Sequence, residues 1–182
     1  MARPVSVDLA MGARAFFLRM LRDRRGAAAI EFAVIALPLF TIIAGMIETG
    51  LLAFTSAVTE AATREAARQV RTGNVQTAAD AAARFRAEFC RGLPATFTCA
   101  DFYFDVRTFP EFAAIALPPV VYDAAGVPQG LAFAPGGANA VVTVRVIHPY
   151  RYITPLIGRA MGGGAAAVPL ISTAVMRTEP FS

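Results

Sequence analysis

The chain has 182 residues, 56% of them hydrophobic and only 16% charged, with no Trp and no Lys. That length suits one domain or two small ones, and a chain so apolar and so poor in charge will not stay disordered. The formal charge of +4 sits in one place: residues 1–25 hold six Arg against Asp8 and Asp23, whereas the rest of the chain carries eleven Arg and eleven acids. A nucleic-acid interface needs a basic patch on the folded body, so no nucleic-acid partner is expected.

Residues 1–26 read as a basic leader. The apolar run Ala27–Phe54 follows, with sixteen uncharged residues between Glu31 and Glu48. As a helix those sixteen span roughly 24 Å, and counting on to Phe54 gives about 35 Å. That is enough to cross a ~30 Å hydrocarbon core with Glu48 near the far interface. Residues 27–54 are therefore expected to be a transmembrane helix, with Pro38 bending it by freeing the carbonyl of Val34. Arg19, Arg22, Arg24 and Arg25 stand just before the span, and the positive-inside rule keeps them cytoplasmic. Residues 55–182 are then an extracytoplasmic domain. A cleaved secretory signal shares the basic start, but this run exceeds a ~7–15-residue h-region and continues unbroken into an amphipathic helix.

Gly26-Ala27-Ala28-Ala29-Ile30-Glu31 has the layout of a prepilin processing site. A small residue precedes the cut, a basic leader precedes that, and Glu31 falls fifth in the resulting chain. Cutting between Gly26 and Ala27 would leave the apolar helix in place as a new N-terminus. The Glu31 carboxylate could then pair with an N-terminal ammonium inside an apolar helix bundle, an attraction stronger at low dielectric than in water. The simpler alternative is an interfacial Glu beside snorkelling Arg side chains.

Three segments together, Arg24–Ala33 with Leu37-Pro38, Gly45-Met46-Ile47-Glu48-Thr49-Gly50 and Ala61–Arg68, give residues 24–71 a recognisable form, with a weaker echo at Ala174–Pro180. This part of the chain resembles the TadE-like (TadE/TadG) proteins of the tight-adherence, Flp-type pilus system. The resemblance implies a minor pilin-like or pseudopilin-like role in assembling adhesive pili, in the bacterial inner membrane or the fibre. Its implied partners are the membrane, a prepilin peptidase, and other pilins or pilus assembly proteins. Phe32 stands where major Flp pilins usually carry Tyr, and the chain is far longer than those subunits, which argues against the major subunit.

Beyond the span, residues 57–71 continue the helix: Val58, Ala62, Ala66 and Val70 share one face, and Glu60, Arg64, Arg68 and Arg71 the other. Gly73 can end it and Asn74 can cap the next. That second helix is expected over roughly 75–90, with Val75, Ala78, Ala82, Phe85 and Phe89 inward and Asp80, Arg84 and Glu88 as an exposed ladder. Phe102, Phe104 and Val106 alternate with Asp101, Tyr103, Asp105 and Arg107, the pattern of a half-buried strand. Val142, Val144 and Val146 mark a second strand and Leu170–Arg177 a third. Thr154-Pro155 opens a short helix that Gly162-Gly163-Gly164 closes. Residues 109–139 carry too many Pro and Gly for long elements, though Leu117–Tyr122 could form a short edge strand. The fold expected is α+β: a long N-terminal transmembrane and amphipathic helix, then helices packed on a small, mostly antiparallel sheet.

Cys90 and Cys99, the chain's two cysteines, should form a disulfide outside the cytoplasm. Two buried thiols or half of a metal site are the alternatives, but zinc needs four ligands and His148 is the single histidine. No metal, cofactor or catalytic site is expected. A serine triad would have to use His148, at a strand end before Pro149-Tyr150, and Asp101, Asp105 and Glu111 read as exposed carboxylates on or beside one strand. Two readings remain: a component of pilus assembly, or an uncleaved, membrane-tethered binding or catalytic domain unrelated to pili.

Overall fold

Forty-five residues, Ala27–Arg71, form one helix, α1, with Pro38 inside it. The computed structural model describes residues 26–161 and 167–181; the basic leader and the Gly162–Gly164 run lie outside the described residues. The chain divides into two compact units, Met1–Ile43 and Ala44–Ser182. In the first, Ile30, Phe32, Val34, Ile35, Leu37 and Phe40 are between 63% and 73% exposed. A helix apolar all round is at home only in lipid or among other helices, and α1 is long and apolar enough to cross a membrane.

The second unit is α+β. After α1 come α2 (Ala81–Arg91), β1 (Tyr103–Phe109), β2 (Val121–Tyr122), β3 (Pro128–Gln129), β4 (Val141–Tyr150), α3 (Pro155–Met161) and β5 (Val168–Arg177). The main sheet has the order β1-β4-β5, antiparallel throughout, with β4 central; β2 and β3 form a separate two-residue hairpin. A three-stranded sheet of this size needs helices on it for stability.

The packing face of α1 is wider than its aliphatic residues suggest. Thr55, Thr59 and Thr63 are buried alongside Ala62, Ala66, Ala67 and Val70. Each threonine hydroxyl bonds the carbonyl four residues earlier, at 2.7–2.8 Å. These polar atoms are thus satisfied within the helix, and a stripe of small side chains meets the sheet. Glu60 pairs with Arg64 on the exposed face, as their spacing suggests.

α2 starts later than expected. Gly73, at φ +83°, does mark the exit from α1, with the Phe181 ring packed where a side chain would be. Residues 72–80 then form turns, and the N-cap is Asp80, whose carboxylate accepts from the Ala83 N–H at 2.9 Å. Asn74 instead donates to Gln69 at 2.9 Å. Ala82 is exposed and Ala81 packs on the core in its place. Glu88 is buried, not exposed, with Arg84 at 2.9 Å and Arg91 at 2.8 Å. Phe85 and Phe89 reach the sheet, packing edge-on to Phe104 with centroids at 5.3 and 5.1 Å.

β1 and β4 also depart from the half-buried pattern, because the irregular segment after β1 covers their second face. Asp105 and Thr143 are fully buried, as are the core valines Val106, Val142, Val144 and Val146. Asp105 organises that layer. Its Oδ2 accepts from Arg145 Nη2 at 2.5 Å, and its Oδ1 accepts from Arg107 Nε and from the Ala132 N–H, both at 2.9 Å. Arg145 and Arg107 then donate to the carbonyls of Pro118 (2.8 Å) and Gly130 (2.7 Å). One buried carboxylate thereby ties a segment without long elements to the sheet. The edge strand expected over Leu117–Tyr122 shrinks to Val121-Tyr122, paired with Pro128-Gln129 around a turn built by Asp123.

Removing one partner of a buried pair strands the other. Asp105→Ala is expected to lower stability by about 3–5 kcal/mol, and Asp105→Leu with Arg145→Met to recover much of that loss. Urea unfolding of the detergent-solubilised chain measures both; an unchanged midpoint for Asp105→Ala contradicts this role.

Candidate functional site

Glu48 is an acid in an otherwise apolar stretch of α1, and it is 1% exposed. Its Oε1 accepts from the Tyr150 hydroxyl at 2.8 Å and from the Ile153 N–H at 3.1 Å. Its Oε2 accepts from the Thr154 N–H at 2.9 Å. The carbonyl of Thr154 accepts from Gly158 N at 2.9 Å, so Thr154 is the cap of α3. Glu48 therefore satisfies amides at the start of α3 that would otherwise be orphaned, and places its charge at the favourable end of that helix's dipole.

Two glycines let these elements meet. The Ile157 Cδ1 lies against Gly45, and Tyr152 lies so close to Gly158 that a Cβ there would come within 2.9 Å of its Cβ and 3.1 Å of its ring. Tyr150 and Tyr152 pack edge to face at 5.6 Å. The far end of this part of α1 is fastened as well. The Glu179 N–H donates to the Arg71 carbonyl at 2.8 Å, and Arg71 and Glu179 form an ion pair at 3.3 Å.

Gly26, Ala27 and Glu31 lie at the start of the described chain, all exposed, with α1 beginning at Ala27. Cys90 and Cys99 are joined by a disulfide with Cα atoms 5.7 Å apart, closing the turn between α2 and β1. A ring this small is worth about 2.5–3 kcal/mol in the loop-entropy model. Glu48 is the residue whose importance sequence reasoning does not reveal. Its signal was a lone acid ending an uncharged run; the partners, more than a hundred residues away, carried no signal.

His148 lies near the end of β4. Its ring stacks on Phe102 at 4.5 Å and its Nδ1 lies 3.1 Å from the Asp101 carbonyl. It borders an open groove of about 760 Å³ lined also by Tyr103, Asp123 and Arg151. Both Asp123 oxygens are occupied in shaping their own turn. Among the described residues, no group of three or more His, Cys, Asp or Glu could hold a metal ion.

The chain is thus α+β, with an N-terminal helix long and apolar enough to cross a membrane. The family model described as TadE-like protein matches residues 26–68. The resemblance drawn from residues 24–71 is shown over that stretch, which includes Gly26, Glu31 and Glu48, and it associates the chain with Tad pilus assembly. No curated protein and no solved structure matches the chain.

Burial, and then the hydrogen bond to Glu48, push the Tyr150 phenol up to about 12. A raised folded-state value means this contribution to stability is complete below the unfolded phenol's ~10. It is lost as pH rises from there through about 12, where the unfolded state binds fewer protons than the folded one. With no Trp in the chain and four Tyr, tyrosinate absorbance reports this cleanly. The last phenol to ionise is expected near pH 12, and Tyr150→Phe should remove that step. An unchanged titration in Tyr150→Phe contradicts the assignment.

Proposed function

We propose that the chain is a minor pilin-like, or pseudopilin-like, component of Flp/Tad-type pilus assembly. Residues 27–54 anchor it in the bacterial inner membrane, with residues 1–26 cytoplasmic until cleavage and residues 55–182 periplasmic. A prepilin peptidase cuts between Gly26 and Ala27, and the remaining helix joins other pilins or pilus assembly proteins. The observation that carries this reading is the family match, which starts at Gly26 and runs through the apolar helix. Two features support it: Gly26 is exposed, and Ala27 is the first residue of α1. A cut between Gly26 and Ala27 would leave α1 whole.

Glu31 has the role of an assembly residue. A carboxylate in an apolar helix is unfavourable unless it meets a partner, and the ammonium created by cleavage at Ala27 supplies one between neighbouring chains. The chemistry is that of ordered association, and no reaction is assigned to the chain.

Mass spectrometry of the membrane-extracted protein is expected to find a chain beginning at Ala27, with Gly26→Leu accumulating the longer form. An uncut chain in cells containing the peptidase favours the tethered-domain alternative. In the same cells, Glu31→Gln should leave the periplasmic domain folded and the disulfide intact while reducing piliation by electron microscopy. Normal pili at matched protein level would reduce Glu31 to an interfacial acid.

A further inference from the structure

The turn before α3 and α3 itself expose a group of large apolar side chains. Ile153 is 72% exposed, Leu156 62% and Met161 50%. Buried Ile157 faces the other way, onto Gly45 of α1. At the same level of α1, Met46 and Ile47 are 70% and 60% exposed. Through Glu48 and Ile157, α3 is fixed beside the last apolar turns of α1, so whatever phase surrounds Met46 and Ile47 must also meet α3.

The charges nearby select that phase. From residue 124 to residue 178 the sequence has no Asp or Glu. Arg151 precedes the apolar group and Arg159 lies within it; both are exposed, and among the described residues no ion pair engages either. Apolar side chains between exposed Arg suit the acyl–headgroup boundary of a bilayer with anionic lipid, where Arg can reach phosphates while its neighbours are buried.

We propose that Ile153, Leu156 and Met161 form a foot that enters the membrane surface beside α1, with Arg151 and Arg159 on anionic headgroups. The foot gives residues 44–182 a contact with the bilayer of their own. This rests on α1 being a membrane anchor.

Since the chain lacks Trp, single introduced tryptophans report local surroundings. The full chain carrying Leu156→Trp, Ile42→Trp or Val175→Trp is reconstituted into phosphatidylcholine–phosphatidylglycerol vesicles with and without brominated acyl chains. Val175 is an exposed control on β5, about 23 Å along the strand from its α3 end. Bromolipid quenching at Leu156→Trp is expected to exceed that at Val175→Trp at least roughly threefold and to approach that at Ile42→Trp. Adding Arg151→Gln and Arg159→Gln should weaken it and abolish its dependence on phosphatidylglycerol. Quenching at Ile42→Trp without quenching at Leu156→Trp overturns the foot and leaves the anchor standing, and a blue-shifted but unquenched Leu156→Trp gives that site to a protein partner instead. No quenching at Ile42→Trp overturns the anchor and the foot together. Equal quenching at Leu156→Trp and Val175→Trp overturns the foot as a distinct site.

Discussion

The Glu48 carboxylate fixes the start of α3 against α1. Glu48 is buried on α1 and accepts three hydrogen bonds, from the Tyr150 hydroxyl and the Ile153 and Thr154 amides. A buried acid without such partners would be strongly destabilising, so the end of β4 and the start of α3 must stay where those donors reach it. Hydrogen bonds to a charged group contribute about 1.5–3 kcal/mol each, but their direction matters as much as their strength. An apolar contact there would let α3 slide along α1, whereas two amides aimed at two oxygens define one register. The acid also lies inside the stretch that matches the TadE-like model, so its place in that segment has a physical account.

The two faces of the sheet are held by different physics. Toward α1 and α2 the contact is apolar, with small side chains on one helix and phenylalanines on the other meeting valines of β1 and β4. On the opposite face, Asp105 and its two arginines fix an irregular layer by directed bonds. A segment so interrupted by Pro and Gly cannot build a helix or long strand to satisfy its own backbone. Side chains from the sheet and the Val106 backbone supply the missing partners. The Arg71–Glu179 end and the Glu48 end together fasten α1 at both limits of the sheet.

What the sequence revealed follows from the range of each interaction. The apolar helix, the continuation through Arg71 and the three main strands were legible because periodicity is local. The start of α2 was misplaced because Asn74 and Asp80 are both good caps, and burial of Val75 in the preceding turns imitates helical spacing. Glu88 and Asp105 read as exposed in the sequence because charged residues usually are; their burial depends on arginines and on a layer that no periodic pattern announces. The threonine stripe was overlooked because Thr counts as polar, although back-bonding leaves its methyl free to pack. Among the candidate site residues, the disulfide needed only two cysteines and a compartment, while the partners of Glu48 lie 102 to 106 residues away.

The central claim is that Glu48 holds the start of α3 against α1, and hydrogen exchange reads the very amides involved. In the intact chain the Ile153 and Thr154 amides should be protected although Ile153 itself is largely exposed. Glu48→Ala should speed their exchange by roughly tenfold or more, equivalent to losing one charge-assisted hydrogen bond, while amides at the centre of β4 around Val144 keep their protection. Unchanged exchange at Ile153 and Thr154 in Glu48→Ala would contradict the account.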